Sequence, residues 1–161
     1  YEKKWGRAAK EFEKVHENYP ASVLSPIAKE MAKQSQAGEQ LSHRSPLFSG
    51  IISAILPGAG QAYCGRWKDG VFSLVINVGL IYGTVYTWQN NQKVTAIILG
   101  NIETAFYAGN IYNGFLYAHS FNEKKAWQHI KGTEKNLDES ILTVSLQPDK
   151  KLVLLTINQT F

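Results

Sequence analysis

Ile55-Leu-Pro-Gly-Ala-Gly-Gln-Ala-Tyr-Cys-Gly-Arg-Trp-Lys-Asp-Gly70 follows an apolar run and carries four glycines and a proline in a single short segment. Two readings compete for it: a phosphate-binding loop and a turn at a membrane surface. Gly60 and Gly65 have the spacing of a P-loop, and a strand-like run, Ile51 to Leu56, precedes them. The next two positions rule it out. A P-loop needs Lys to reach the phosphates and then Ser or Thr to hold magnesium, whereas Gly65 is followed by Arg66 and Trp67. The dinucleotide version fails as well, because Tyr63 stands where a third glycine would let a helix pack closely. The segment is therefore read as a turn, with Pro57, Gly58, Gly60, Tyr63, Gly65 and Gly70 setting its backbone course.

Charge is distributed in support of that reading. The chain has 17 basic and 13 acidic residues, yet only Arg66, Lys68, Asp69, Lys93 and Glu103 fall between Ser45 and Asn122. Both flanks are polar, with lysines interleaved among glutamates as on a solvated helix face, so the net charge of +4 calls for no nucleic acid. The single cysteine, Cys64, excludes an intrachain disulfide framework and a cysteine-cluster metal site. His16, His43, His119 and His129 lack metal-ligand spacing, and no Gly-x-Ser-x-Gly elbow occurs. No catalytic, metal or cofactor site is expected, and the chain reads as a non-enzyme.

The middle of the chain holds three apolar stretches. Ser45 to Gly65 is free of charge but interrupted at Pro57, so its helical part, Leu47 to Leu56, extends only about 15 Å. That is half a bilayer, which suits a broken or re-entrant helix. Val71 to Gln92 is also uncharged, and Trp67 and Trp88 bracket it at about 31 Å of helix, close to the roughly 30 Å hydrocarbon core. After a polar turn, Gln89 to Lys93, the stretch from Val94 to about Ser120 is again long enough to cross. Within it Glu103, Tyr107, Asn110, Gly114 and Tyr117 share one helix face, with Asn113 beside it. An ionisable group at membrane depth faces protein or a watery cavity, which singles out Glu103. Folding the two long helices antiparallel makes Asn77 its expected partner, and Gly79-x-x-x-Gly83 with Ala105-x-x-x-Gly109 would permit close backbone approach.

Residues 1–41 read as a helical hairpin. Trp5, Ala8, Ala9, Phe12 and Val15 recur at helical spacing, Tyr19-Pro20 ends the first helix, and Ser25-Pro26 opens a second that runs through Ala28 to about Gln40, with Ser25 as its cap. Trp5-x-x-Ala8-x-x-x-Phe12, the closing Tyr19-Pro20 and Ala28 together resemble one tetratricopeptide repeat, of the kind found in bacterial envelope proteins. That resemblance implies protein–protein interaction and neighbouring repeats, since one repeat cannot bury its face alone. The chain opens inside a helical pattern at Tyr1, so further repeats are expected upstream.

Pro57-Gly58-x-Gly60-x-x-Tyr63-x-Gly65-x-x-x-x-Gly70, followed by an apolar helix, resembles the turn of the bacterial two-transmembrane-segment domain family, and the wider core from Ser53 to Tyr63 is similar to that of other bacterial membrane proteins. The resemblance implies membrane helices and no particular reaction. Beyond Asn122 a polar helical tail to about Asn136 is expected. Ile141 to Leu146 and Lys151 to Phe161 then read as two strands around a Gln147–Lys150 turn.

The expected fold is mainly α: a tetratricopeptide-like hairpin (1–41), a membrane-embedded helical unit with a broken or re-entrant first helix followed by a membrane hairpin (45–122), and a polar tail with a β-hairpin (123–161). The expected role is that of a membrane-anchored adaptor or scaffold in the bacterial, inner (cytoplasmic) membrane. Its partners would be membrane lipid and other envelope or membrane proteins, with a homo-oligomer left open. A small transport component using the Glu103 face and an accessory factor for membrane-protein insertion or envelope assembly are the alternatives.

Overall fold

The computed structural model describes residues 4–145, and these are mainly helical, with no strand among them. Six helices follow in order: α1 (Trp5–Asn18), α2 (Ser25–Glu39), α3 (Pro46–Ile55), α4 (Ala59–Tyr63), α5 (Trp67–Gln89) and α6 (Lys93–Ser145). The chain divides into two compact units, one made of residues 42–124 and the other of residues 1–41 with 125–161. Helix α6 contributes to both, up to Lys124 in the first and from Lys125 in the second.

In the unit built on α1 and α2, each boundary has a local cause. Helix α1 ends at Asn18 because Pro20 disfavours helical geometry at Tyr19, whose φ of −131° is already extended. Pro26 occupies the first turn of α2, where its missing N–H costs nothing. Ser25 does not cap that helix: its side chain is buried and hydrogen-bonds the His16 Nδ1 at 2.7 Å, and the cap position falls to Leu24. Small residues Ala9, Ala28 and Ala32 are buried where the two helices approach. Trp5 lies against Gly38, where any β-carbon would come within 2.6 Å of the indole, and meets the His129 ring edge-on at 5.3 Å. His129 also bonds the Gln34 carbonyl at 2.7 Å, so the far part of α6 serves this unit as a third helix. Ala8 and Phe12, with Met31, Ile130 and Leu137, line a cavity of about 240 Å³ among the three helices.

In residues 42–124, α3 begins at Ser45, whose hydroxyl caps by accepting from the Phe48 N–H at 3.2 Å, and Pro46 fills the first helical position. The chain breaks at Leu56–Pro57 and turns at Gly58, which adopts a left-handed φ of +90°. Short α4 then returns alongside α3, bringing Tyr63 Oη within 3.4 Å of the Ser45 N–H. Gly65, at φ +81°, makes the second turn into α5. Helices α5 and α6 are antiparallel about a left-handed Asn91 (φ +61°), with Gly83 facing Leu99 and Gly100 facing Thr84.

Two expectations about the last helix are corrected. No proline falls between Ser120 and Ser145, and the apolar stretch and the polar tail are one continuous helix. Ile141 to Ser145 is helical rather than the start of a strand, because extending an existing helix costs little compared with nucleating a new element. The remainder of the expected β-hairpin lies outside the described residues.

Candidate functional site

Burial in residues 42–124 is inverted relative to a water-soluble domain. Ser49, Ser53 and Asn77 are wholly buried and Gln61 is 1% exposed, whereas Trp67 and Phe72 are each 68% exposed. Leu47, Ile51, Val75, Ile81, Ile97 and Ile102 also face outward. Of these helices, α5 is long and apolar enough to cross a membrane. Four polar side chains on it and on α6 are satisfied along their own helix. Thr84 donates to Leu80 O, Thr87 to Gly83 O, Asn101 to Ile97 O and Thr104 to Gly100 O, each at 2.8 Å.

The polar interior is built around the α3–α4 turn. Ser49 and Ser53 are four residues apart on α3 and present one small face, against which Gly60 of α4 and Gly114 of α6 both lie. A β-carbon on Gly60 would come within 2.3 Å of Ser53 Oγ, and one on Gly114 within 2.7 Å. Proximity allows hydrogen bonds: Gly60 N–H donates to Ser53 Oγ at 3.0 Å, and Ser49 Oγ donates to Gly60 O at 3.2 Å. Cys64 is buried beside Ser49, with Sγ at 3.6 Å from its hydroxyl. Gln61 donates from Nε2 to Asn110 Oδ1 at 3.4 Å, joining α4 to α6. Gly58 and Gly70 meet backbone to backbone, so closely that a β-carbon on Gly58 would stand 2.0 Å from Gly70 O. Gly58, Gly60, Gln61 and Tyr63 of the Pro-Gly-x-Gly-Gln-x-Tyr pattern each thereby have a packing or hydrogen-bonding task.

The face expected on α6 is shared among three neighbours. Tyr107 donates its hydroxyl to Ala54 O at 2.6 Å, and Gly114 receives α3. Asn110 takes Gln61, while Asn113 and Tyr117 line an open cleft against α5. Glu103 is left over: both carboxylate oxygens are buried and without a hydrogen-bond partner. The expected Asn77–Glu103 bond is not formed. Asn77 Nδ2 instead donates to Ser73 O of its own helix at 2.7 Å, and its Oδ1 is unpartnered. The register explains this, since facing Thr84 with Gly100 puts Asn77 and Glu103 about one helical turn apart. Close approach also falls at other glycines than those expected, for Gly79 and Gly109 have nothing within 4 Å of a β-carbon and Gly83 is in ordinary contact with Leu99.

Sequence reasoning passed over the entrance to this unit. Asn122 receives the Arg44 N–H at 2.7 Å and donates to the Arg44 carbonyl at 2.8 Å, pinning the start of α3 to α6. The Arg44 guanidinium lies over Tyr63 at 4.6 Å, and that of Arg66 over Tyr117 at 4.1 Å. Arg66 is also paired with Asp69. The signal for Ser49-x-x-x-Ser53 was legible as a small-residue pattern; the one for Asn122 was not, because its partner lies 78 positions away. Among the described residues no cluster of His, Cys, Asp and Glu could hold a metal ion.

Comparison with protein-family models, curated proteins and solved structures returns no match. Function has to be read from the chain's own geometry.

Proposed function

We propose that the protein is a non-enzymatic integral membrane protein of the bacterial inner membrane, acting as a membrane-anchored adaptor. The single observation that carries the membrane reading is the inverted burial of residues 42–124. Small and polar groups fill the interior, and large aliphatic and aromatic side chains face out. In water that surface would be a severe aggregation hazard, whereas in lipid it costs nothing, and Ser49, Ser53, Gln61 and Asn110 find hydrogen-bond partners inside. In this reading α5 and α6 form the membrane hairpin, and α3–α4 is a re-entrant half-crossing that turns back at Pro57-Gly58.

The adaptor role rests on the hairpin that resembles a tetratricopeptide repeat. Trp5, Ala8, Phe12 and Ala28 serve packing within that unit, while Val15, Tyr19 and Leu24 remain exposed at the end of α1 and in the turn after it, as an interaction surface requires. Two measurements test the proposal. The protein should stay with membranes through carbonate and urea washing, and recovery as a soluble monomer without detergent refutes the membrane reading. Capture from mild detergent should retain a protein partner that is lost in a Tyr19→Asp, Leu24→Asp variant; retention by that variant removes the assigned surface.

A second reading has its own observation. The unpartnered carboxylate of Glu103 is the kind of group that carries protons or cations across a membrane. A transport role for it is the alternative.

A further inference from the structure

We infer that the cleft between α5 and α6 is a binding site for one glycerophospholipid, held there rather than exchanged freely with the bilayer. The inference rests on the membrane reading of residues 42–124. The cleft encloses about 500 Å³, within the range of small-molecule sites. Its lining changes in order along the helices. At one end stand Asp69 and Tyr117, with Arg66 paired to the first and lying over the second. Phe72, Ser73 and Asn113 follow about one turn further in, and Asn110 next to them. Ile76, Phe106 and Gly109 close the far end. From Tyr117 to Phe106 the cleft runs about 16 Å along α6.

A glycerophospholipid presents the same order of chemistries: a phosphate, then ester carbonyls, then hydrocarbon. The phosphate end is supplied by Arg66. Its guanidinium stands over the Tyr117 ring at 4.1 Å and uses Nε for Asp69, which leaves its terminal N–H groups to serve phosphate oxygens. At the ester level the site offers donors. Gln61 takes Asn110 Oδ1 and so leaves the Asn110 Nδ2 hydrogens for the cleft, beside the Ser73 hydroxyl and the Asn113 amide. Alkyl chains alone would leave those donors unsatisfied at membrane depth, where each unmade bond is costly; ester carbonyls satisfy them. Beyond that level only Ile76, Ala105, Phe106 and the bare backbone of Gly109 remain, a floor suited to an acyl chain.

The test uses the full chain, purified in a mild non-ionic detergent and depleted of lipid. It is titrated with phosphatidylglycerol, with diacylglycerol of the same acyl chains, and with glycerol 3-phosphate. Native mass spectrometry reads the bound species and thermal unfolding its effect. Phosphatidylglycerol should bind one to one and about tenfold or more tighter than diacylglycerol, the factor expected of one charge-assisted contact, and glycerol 3-phosphate should not bind. Gly109→Leu should lose binding by a similar factor while unfolding normally, because its side chain grows into the open cleft. Arg66→Gln should erase the preference over diacylglycerol, and Lys68→Gln, an exposed charge that neither pairs with Asp69 nor lies over Tyr117, should not. Equal binding of the two lipids by the native chain, or unchanged binding by Gly109→Leu, overturns the inference. A chain that resists carbonate extraction yet shows either result refutes the lipid site alone; one that needs no detergent refutes the membrane reading beneath it.

Discussion

Gly60→Ala is the sharpest perturbation of the polar interior. The added β-carbon would stand 2.3 Å from Ser53 Oγ and 2.4 Å from Ser49 O, where ordinary contact begins at 3.4 Å. Helix α4 therefore has to withdraw by about 1 Å, a gap that forfeits a quarter to a half of the dispersion energy along that face. The same displacement lengthens the Gly60 N–H to Ser53 Oγ bond from 3.0 Å and the Ser49 Oγ to Gly60 O bond from 3.2 Å beyond useful range. Interhelical hydrogen bonds in membranes average about 0.6 kcal/mol, and overpacking costs typically about 1–3 kcal/mol. Ala gains back at most about 1 kcal/mol of helix propensity over Gly. A net loss of about 1–3 kcal/mol follows. Gly79→Ala is the control: with nothing within 4 Å of its β-carbon it should gain about 0.5–1 kcal/mol. Trimming Ser53 to Ala in the Gly60→Ala background should not rescue, because the Ser49 carbonyl still blocks the site. Equilibrium unfolding in mixed micelles, followed by helicity, ranks the variants. If Gly60→Ala proves as stable as Gly79→Ala, the close approach of α3 and α4 is wrong.

Three further outcomes are expected. Because α4 returns alongside α3, cysteines introduced at Ser42 and Lys68 in a Cys64→Ser background should label from the same side of the membrane; opposite-side labelling defeats the re-entrant turn. A double-mutant cycle on Gln61→Leu and Asn110→Leu should give a coupling of about 0.6 kcal/mol, with the double variant closer to wild type than the sum of the singles; strict additivity would mean that the 3.4 Å contact contributes nothing. Glu103→Gln should fold normally, since neither carboxylate oxygen has a bond to lose. If reconstituted wild-type vesicles pass protons or cations and the Gln variant does not, the transport reading displaces the adaptor; absence of wild-type flux removes it.

Local chemistry was legible in the sequence. Pro20, Pro57 and the Gly58–Gly70 segment mark breaks because their effects act on the residues beside them, and charge-poor Trp67–Gln89 stands out by composition. Pairings were not legible. Counting from the turn at Asn91 placed Asn77 within about one turn of Glu103, but a separation of that size leaves the two side chains unbonded, and an asparagine can always retreat to its own i−4 carbonyl. The small-residue contacts were assigned to Gly79-x-x-x-Gly83 and Ala105-x-x-x-Gly109; of those glycines Gly83 meets Leu99 across the hairpin, whereas the tight approaches fall at Gly60 and Gly114, because a four-residue spacing records that a close approach is permitted and not which helix supplies it. The strand expected from Ile141 failed on propensity: β-branched residues favour strands weakly, and an uninterrupted helix behind them outweighs that preference.

The turn motif itself limits what any resemblance can transmit. Gly58 needs a left-handed backbone and contact with Gly70, Gly60 needs the space of a missing side chain, Gln61 reaches Asn110, and Tyr63 receives Ser45 and Arg44. All of these tasks concern how a short helix folds back on α3 and hands the chain to α5. None places a nucleophile, a general base or a metal ligand. Chains sharing these residues would therefore share the architecture of the turn while being free to differ in activity. Differences in function should reside where the turn imposes no constraint: in the lining of the α5/α6 cleft, at Glu103, and on the exposed surface of the α1–α2 hairpin. Exchanging the turn segment with that of another chain bearing the same motif should leave lipid retention and partner capture unchanged, whereas exchanging residues 105–117 should move the first without the second.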